Sequence, residues 1–399
     1  MSTQSGRADK PAPGALVRPL TILHLISHMH PGGRAATALR QARLLAGCGH
    51  RVLVGCVRGS AAEERARAMG LQVFADFRFR RGFRPAGFWH DCRLVASRCN
   101  IHGVDIVHTH HSAESWVGCV GVWLASRRPA LIRSRGIVVP VKPHLFNRLL
   151  HNQLSDCVVA PSHVIYDQLR ALPGFDPGKV ALIPDAVDTT RFHPQTDGQP
   201  VREEFGVPRD APFVVMVARL EPVKGHEVFL TALAQLAQTM PDLRALCACD
   251  ERAPGVLAAT VERARAAGLG ERTLVFTGLR TDVERVIAAA SVIALPSLGS
   301  EGSSRVALEA AASGVPVVAS AVGCLPEVVE EGVTGMLVPP GDPRALVEAL
   351  RLLLHDPALA RQMGRAARAR AETLYHERLM AERLEGLYRR AGERRKGLR

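Results

Sequence analysis

The sequence predicts an α/β chain made of two successive doubly wound parallel-sheet halves that face each other across a cleft. Three observations predict it. At 399 residues, 47% of them hydrophobic, the chain exceeds the usual size of one domain and can bury two cores. Short β-branched runs alternate with Ala/Leu/Arg-rich helical stretches, the rhythm of a parallel sheet wrapped by helices. That rhythm lapses once, around Phe192–Pro212, into Pro, Gly, Asp and Gln, where a linker between the halves is expected, and then restarts.

In the first half, Leu20–Ser27 reads as a strand and Ala35–Cys48 as a helix. Arg51–Val57, Gln72–Phe77, Val104–Thr109, Ala130–Arg133 and Asp156–Pro161 continue the strand series. In the second half the strands are Phe213–Ala218, Leu243–Ala248, Thr273–Thr277, Val292–Pro296 and Val315–Ala319. Helices between them include Glu227–Gln238, Thr281–Ala290 and Ser304–Ser313, and a charged amphipathic helix closes the chain at Tyr375–Ala391. In such folds ligands bind beyond the carboxyl ends of the strands.

Charge and cysteines narrow the setting. The formal net charge is +13, and residues 1–200 hold 25 Lys and Arg against 13 Asp and Glu, whereas the remainder is nearly balanced. Either an acidic partner meets the first half or the surface is Arg-rich by composition. Nine scattered cysteines without CxxC pairs read as reduced, mostly buried thiols of a cytosolic protein. Residues 1–18 are polar and rich in Gly and Pro, which suggests a disordered tail rather than a signal peptide. The longest apolar run, Trp116–Ala125, is too short to span a bilayer and is closed by Arg127 and Arg128.

Chemistry concentrates in three segments. In the first, Leu295-Pro296-Ser297 leads to Glu301, Gly302, Ser303, Ser304 and Arg305, and Glu309 follows in the second helical turn. A small-residue turn at a helix start offers backbone N–H groups to a phosphate or to sugar hydroxyls, and Glu309 could accept two ribose hydroxyls. Neither glutamate is expected to be a core residue. In the second, Arg219 and Lys224 flank the end of a strand, where two cations could neutralise a departing diphosphate. In the third, His30-Pro31-Gly32-Gly33 follows the first strand, and its paired glycines permit close backbone approach. It is not a Gly-x-Gly-x-x-Gly fingerprint, so no nicotinamide cofactor is expected.

With Asp105-Ile106-Val107-His108-Thr109-His110, Pro326-Glu327-Val328-Val329 and Gly332-Val333-Thr334-Gly335, these segments make the chain resemble a family-4 retaining glycosyltransferase of the GT-B fold, from about Leu20 to the last helix. The resemblance implies two Rossmann-like domains, an acceptor domain at 19–193 and a nucleotide-sugar donor domain at 194–374. It also implies a helix at 375–399 that crosses back onto the first domain. Arg219 and Lys224 would hold the donor diphosphate, Glu309 the ribose, Glu301 the donor sugar together with backbone amides of Gly302, Ser303, Ser304 and Arg305. His110 would approach the sugar from the first domain; Gly32 and Gly33 would line the same site. The chain departs from the family's habit at Asp185-Ala186 (usually Asn-Gly), at Cys249-Asp250-Glu251-Arg252 (usually Gly-Asp-Gly-Pro) and at Ser303-Ser304 (usually aromatic-Gly).

No Asp-x-Asp occurs, and no His/Asp/Glu cluster shows metal-ligand spacing along the chain. The leaving group is therefore expected to be met by Arg219, Lys224 and helix-terminal amides, with no metal and no cofactor beyond the nucleotide-diphosphate sugar donor. The expected activity is retaining sugar transfer, by the family's front-face route, to a cell-envelope glycan or lipid-linked acceptor such as lipopolysaccharide core. Alternatives are a nucleotide-sugar epimerase and a catalytically silent sugar-binding protein. Near Phe74–Arg84, Phe77 and Phe79 could face a core while Arg78 and Arg80 face outward; Arg78, Arg80, Arg81 and Arg84 are expected to meet an anionic membrane or phosphorylated glycolipid. Nucleic acid is not an expected partner, and the expected location is the cytoplasm, including the inner face of the membrane.

Overall fold

The structure is a computed structural model that describes residues 18–29, 33–79, 84–251, 254–299 and 301–397. The polar start of the chain, through residue 17, lies outside the described residues. Strands β1 (Thr21–Ile26), β2 (Arg51–Val57), β3 (Gln72–Phe77), β4 (Ile106–Thr109), β5 (Ala130–Ser134), β6 (Cys157–Ala160) and β7 (Val180–Leu182) form the first sheet. All pairs are parallel, in the order β3-β2-β1-β4-β5-β6-β7. The second sheet contains β8 (Phe213–Arg219), β9 (Arg244–Asp250), β10 (Leu274–Thr277), β11 (Val292–Leu295), β12 (Val317–Ser320) and β13 (Gly335–Val338). It too is parallel, ordered β10-β9-β8-β11-β12-β13.

Central strands such as β4, β11 and β12 are buried at every residue, which is why they read as unbroken runs rather than alternating ones. The strand order reverses between β1 and β4, and again between β8 and β11. Chains leaving those paired carboxyl ends turn apart, and the crevice between them is where such sheets bind ligands. The motif segments leave these same strand ends.

One expectation needs correction. The stretch around Phe192–Pro212 is not a loose connector. It contains a short helix, Gln199–Glu204, and buries Phe192, Val201, Val207 and Ala211 in the core of the second half. Its Pro and Gly punctuate turns on a packed surface. The connection between halves comes earlier, where Val187 N–H donates to Tyr375 O at 2.9 Å and Val187 bridges to His376, so the outgoing and returning chains run side by side.

The last helix, Glu377–Gly397, packs on the first sheet as expected. Met380, Leu384, Leu387, Tyr388 and Ala391 join Ile22, Ile106 and Ile132 in one buried cluster. Arg43 bonds Glu377 at 2.7 Å, and Arg395 bonds Asp156 at 2.9 Å. Cys48 is exposed, the other eight cysteines are buried, and all nine are unpaired. Among the described residues no helix is long and apolar enough to cross a membrane.

Candidate active site

β8 ends on Arg219, and the chain passes through a tight turn, Pro222–Lys224, into the helix His226–Thr239. Gly225 makes this turn possible. Its φ is +75°, and a Cβ there would lie 1.8 Å from Pro296 O, the residue just past β11. Only a bare Cα lets the two loops touch. Gly225→Ala is therefore expected to lose about 2–4 kcal/mol of stability, from the left-handed backbone and the forced backbone shift together. Urea unfolding within 0.5 kcal/mol of wild type would show the contact to be slack.

That contact brings Lys224 to Glu301. Lys224 Nζ lies 2.5 Å from Glu301 Oε1, and Ser297 Oγ donates to the same oxygen at 2.6 Å. Glu301 is fixed from behind as well, since Cys324 N–H donates to its carbonyl at 2.9 Å. A Cβ on Gly323 would lie 2.1 Å from that carbonyl. Arg219 pairs instead with Glu221, at 2.5 Å, and keeps 39% of its side chain exposed. The neighbouring His226 is held neutral, its pKa lowered to about 4 chiefly by burial and further by Lys224.

The helix Arg305–Ala312 opens at Ser304, whose φ of 24° and ψ of 65° are unusual for a residue with a Cβ. Its hydroxyl makes no capping bond, so no side chain of the cap occupies the first-turn amides. Glu309, one turn in, is paired with Arg305 at 3.0 Å. Nearby Asp185 accepts from Thr37 Oγ1 and from Ala186 N–H, both at 2.9 Å, and its charge acts on Arg305. The expectation that Glu301 and Glu309 lie off the core is corrected: they are 8% and 4% exposed. Burial is tolerable because each carboxylate has its own cation.

On the opposite sheet His110 follows β4, and its ring meets that of His24 from β1, with His24 Nδ1 and His110 Nε2 3.0 Å apart. Glu114, fully buried, accepts from His110 N–H at 3.2 Å. His108 is structural: Nδ1 bonds Tyr388 Oη at 2.6 Å and Nε2 bonds Ser134 Oγ at 2.9 Å. Burial and neighbouring imidazoles push the pKa values of His108 and His110 well down, so both are neutral. Sequence spacing had shown no such cluster, yet His24, His108 and His110 place one nitrogen each within 4.8 Å of one another. Only the parallel register, which sets His24 beside His108, reveals it.

The two halves close on each other. A Cβ on Gly302 would lie 2.6 Å from Gly136 O of the first half. Glu327 reaches the helix His163–Arg170, accepting from His163 N–H at 2.7 Å and Val164 N–H at 2.9 Å. The structure thus gathers Arg219, Lys224, Glu301, Gly302, Ser303, Ser304, Arg305 and Glu309 at one strand switch, with His110 at the other. Gly33 starts a helix with open space around it, and Gly32 lies outside the described residues. Phe77 and Phe79 are buried and stacked, centres 5.0 Å apart, while Arg78 and Arg84 are exposed; Arg80 and Arg81 lie outside the described residues.

The family model for Glycosyltransferase Family 4 matches residues 31–191, and that for Glycosyl transferases group 1 matches residues 198–370. The chain belongs to glycosyltransferase family 4. Among curated relatives of this family, a D-inositol 3-phosphate glycosyltransferase of Streptomyces avermitilis is 32% identical over 67% of this chain. The match spans 61% of that relative, less than two thirds of its length. A glycosyltransferase structure from Rickettsia africae superposes with a TM-score of 0.86 at 21% identity, covering 94% of this chain and 99% of that one. Anabaena HepE in complex with UDP-glucose gives 0.78 at 23% identity, covering 92% and 99%. These likenesses to solved structures show the fold, two Rossmann-like domains of the GT-B type.

Proposed function

We propose that this family-4 chain is a retaining glycosyltransferase that moves a sugar from a nucleoside-diphosphate donor to a cell-envelope glycan or lipid-linked acceptor, such as lipopolysaccharide core. The observation that carries the reading is the Lys224–Glu301–Ser297 cluster beside the uncapped helix start at Ser304, with Glu309 one turn further on. A diphosphate placed there meets Lys224, Arg219 and first-turn amides, which oppose the charge that develops as the glycosyl bond breaks. Glu309 accepts the ribose hydroxyls, and Glu301 accepts hydroxyls of the donor sugar. His110 bonds the sugar from the facing sheet. The acceptor oxygen attacks the anomeric carbon on the face the phosphate leaves, and its proton passes to the departing phosphate oxygen, so configuration is retained. HepE's complex with UDP-glucose supports a nucleotide-sugar donor in this fold.

The test is a donor panel with and without acceptor. Nucleoside diphosphate should appear only when an acceptor is present, and proton NMR should show the donor's anomeric configuration in the product. Interconversion of sugars without acceptor would instead indicate an epimerase. Because Lys224, Arg219 and the helix start meet the leaving charge, activity should persist in excess chelator; its abolition, restored by magnesium or manganese, would overturn that assignment. We propose further that Arg78, Arg80, Arg81 and Arg84 attach the chain to anionic lipid, at about 1 kcal/mol each when weakly screened. Flotation with anionic vesicles at low and high salt tests this, and a fourfold Arg→Ser variant that still floats would reduce these arginines to a solvated face.

A further inference from the structure

The three-histidine cluster invites a metal, but its geometry answers otherwise. The ring centres of His24 and His110 are 5.2 Å apart, their planes differ by 8°, and the facing nitrogens are 3.0 Å apart. The centre-to-centre distance thus exceeds the nitrogen–nitrogen distance by 2.2 Å, about twice the distance from an imidazole centre to its own nitrogen. Centre, nitrogen, nitrogen and centre lie nearly on one line. Two lone pairs aimed along that line cannot meet at a third point, as a tetrahedral ion requires. The third ring, His108, has both nitrogens taken by Tyr388 and Ser134. What the line does suit is a single N–H···N hydrogen bond, with one ring donating and the other accepting.

Which ring donates follows from the surroundings. His24 is wholly buried, with its pKa lowered to about 3 by burial, so its ring carries one proton. Its Nε2 has no partner among the described residues. A proton there would be an N–H with nothing to donate to, whereas a proton on Nδ1 is used in the bond to His110. His110 then accepts at Nε2 and keeps its own proton on Nδ1.

We propose that His24 is a positioning residue: it donates Nδ1–H to His110 Nε2 and so holds His110 as a neutral Nδ1–H donor toward a hydroxyl of the donor sugar. This rests on the reading that His110 faces that sugar. It assigns His110 hydrogen-bond donation rather than proton abstraction, and it gives a buried strand histidine a part in orienting the sugar.

The experiment is nitrogen NMR of the full chain labelled with 15N-histidine, each ring assigned by substitution, joined to kinetics of two variants. Both rings should show the Nδ1–H tautomer, with a scalar coupling through the shared hydrogen bond. His24→Leu should abolish the coupling and lower kcat about 10–100-fold, while the free nucleoside diphosphate binds as in wild type. His24→Asn keeps a donor near the Nδ1 position and should restore most of kcat; a merely space-filling role would predict no such rescue. An Nε2–H tautomer on His110, equal activity of the two variants, or one tightly held zinc per chain that requires His24 would each overturn the proposal. If no sugar is transferred at all, the functional reading fails, while tautomers and coupling still decide whether His24 donates to His110.

Discussion

Lys224→Ala is expected to lower unfolding stability by about 2–3 kcal/mol and to remove measurable transfer, while Lys224→Met with Glu301→Leu should recover most of the stability and none of the activity. The two effects separate because the pair does two things. Lys224 and Glu301 are only 17% and 10% exposed at the side chain, and 2.5 Å apart. Removing one partner strands a nearly buried charge, whereas replacing both with apolar groups of similar volume removes that penalty. The residual exposure of Lys224 keeps the cost at the low end of that range. Neither apolar residue can oppose a diphosphate or accept a sugar hydroxyl. Calorimetric unfolding beside a transfer assay makes the comparison, and substantial turnover by the double variant would remove both residues from the proposed chemistry.

Glu309→Ala should weaken the ribonucleoside diphosphate by about 2–3 kcal/mol, the worth of hydrogen bonds to a charged group, and should barely change binding of the 2′,3′-dideoxy analogue. Its effect on folding should be smaller, because the Arg305 it leaves behind is 32% exposed at the side chain and still feels the charge of Asp185. A double cycle over enzyme and ligand isolates the ribose contact from everything else the substitution disturbs. Equal losses for both nucleotides would place Glu309 elsewhere, as a support for Arg305 and the helix start.

What could be read from the chain and what could not divide along the range of the interactions. Strands buried on both faces announce themselves as apolar runs, so β1 to β6 and β8 to β12 stand close to where the runs suggest. Two of the four edge strands did not: β7 is three half-buried residues, and β13 begins on a glycine. The segment around Val201 and Val207 reads as a connector because its turn residues outnumber its anchors, although those few anchors are buried. Arg219, Lys224, Glu301 and Glu309 were legible as a set through their spacing. Their burial was not, since it depends on Lys224 meeting Glu301 across 77 positions of sequence. His24 carried no local signal at all, because its neighbour in space lies on another strand.

The contact of Glu327 with the helix at His163–Arg170 carries a consequence for motion. The amides of His163 and Val164 belong to the first half, yet the carboxylate that caps them belongs to the second. Any separation of the halves uncaps that helix, so these two amides exchange with solvent only as often as the cleft opens, while amides inside either sheet follow the stability of their own half. Two hydrogens in the native sequence therefore serve as a gauge of opening, readable by deuterium uptake without a label, and donor binding should slow them ahead of the rest of the helix.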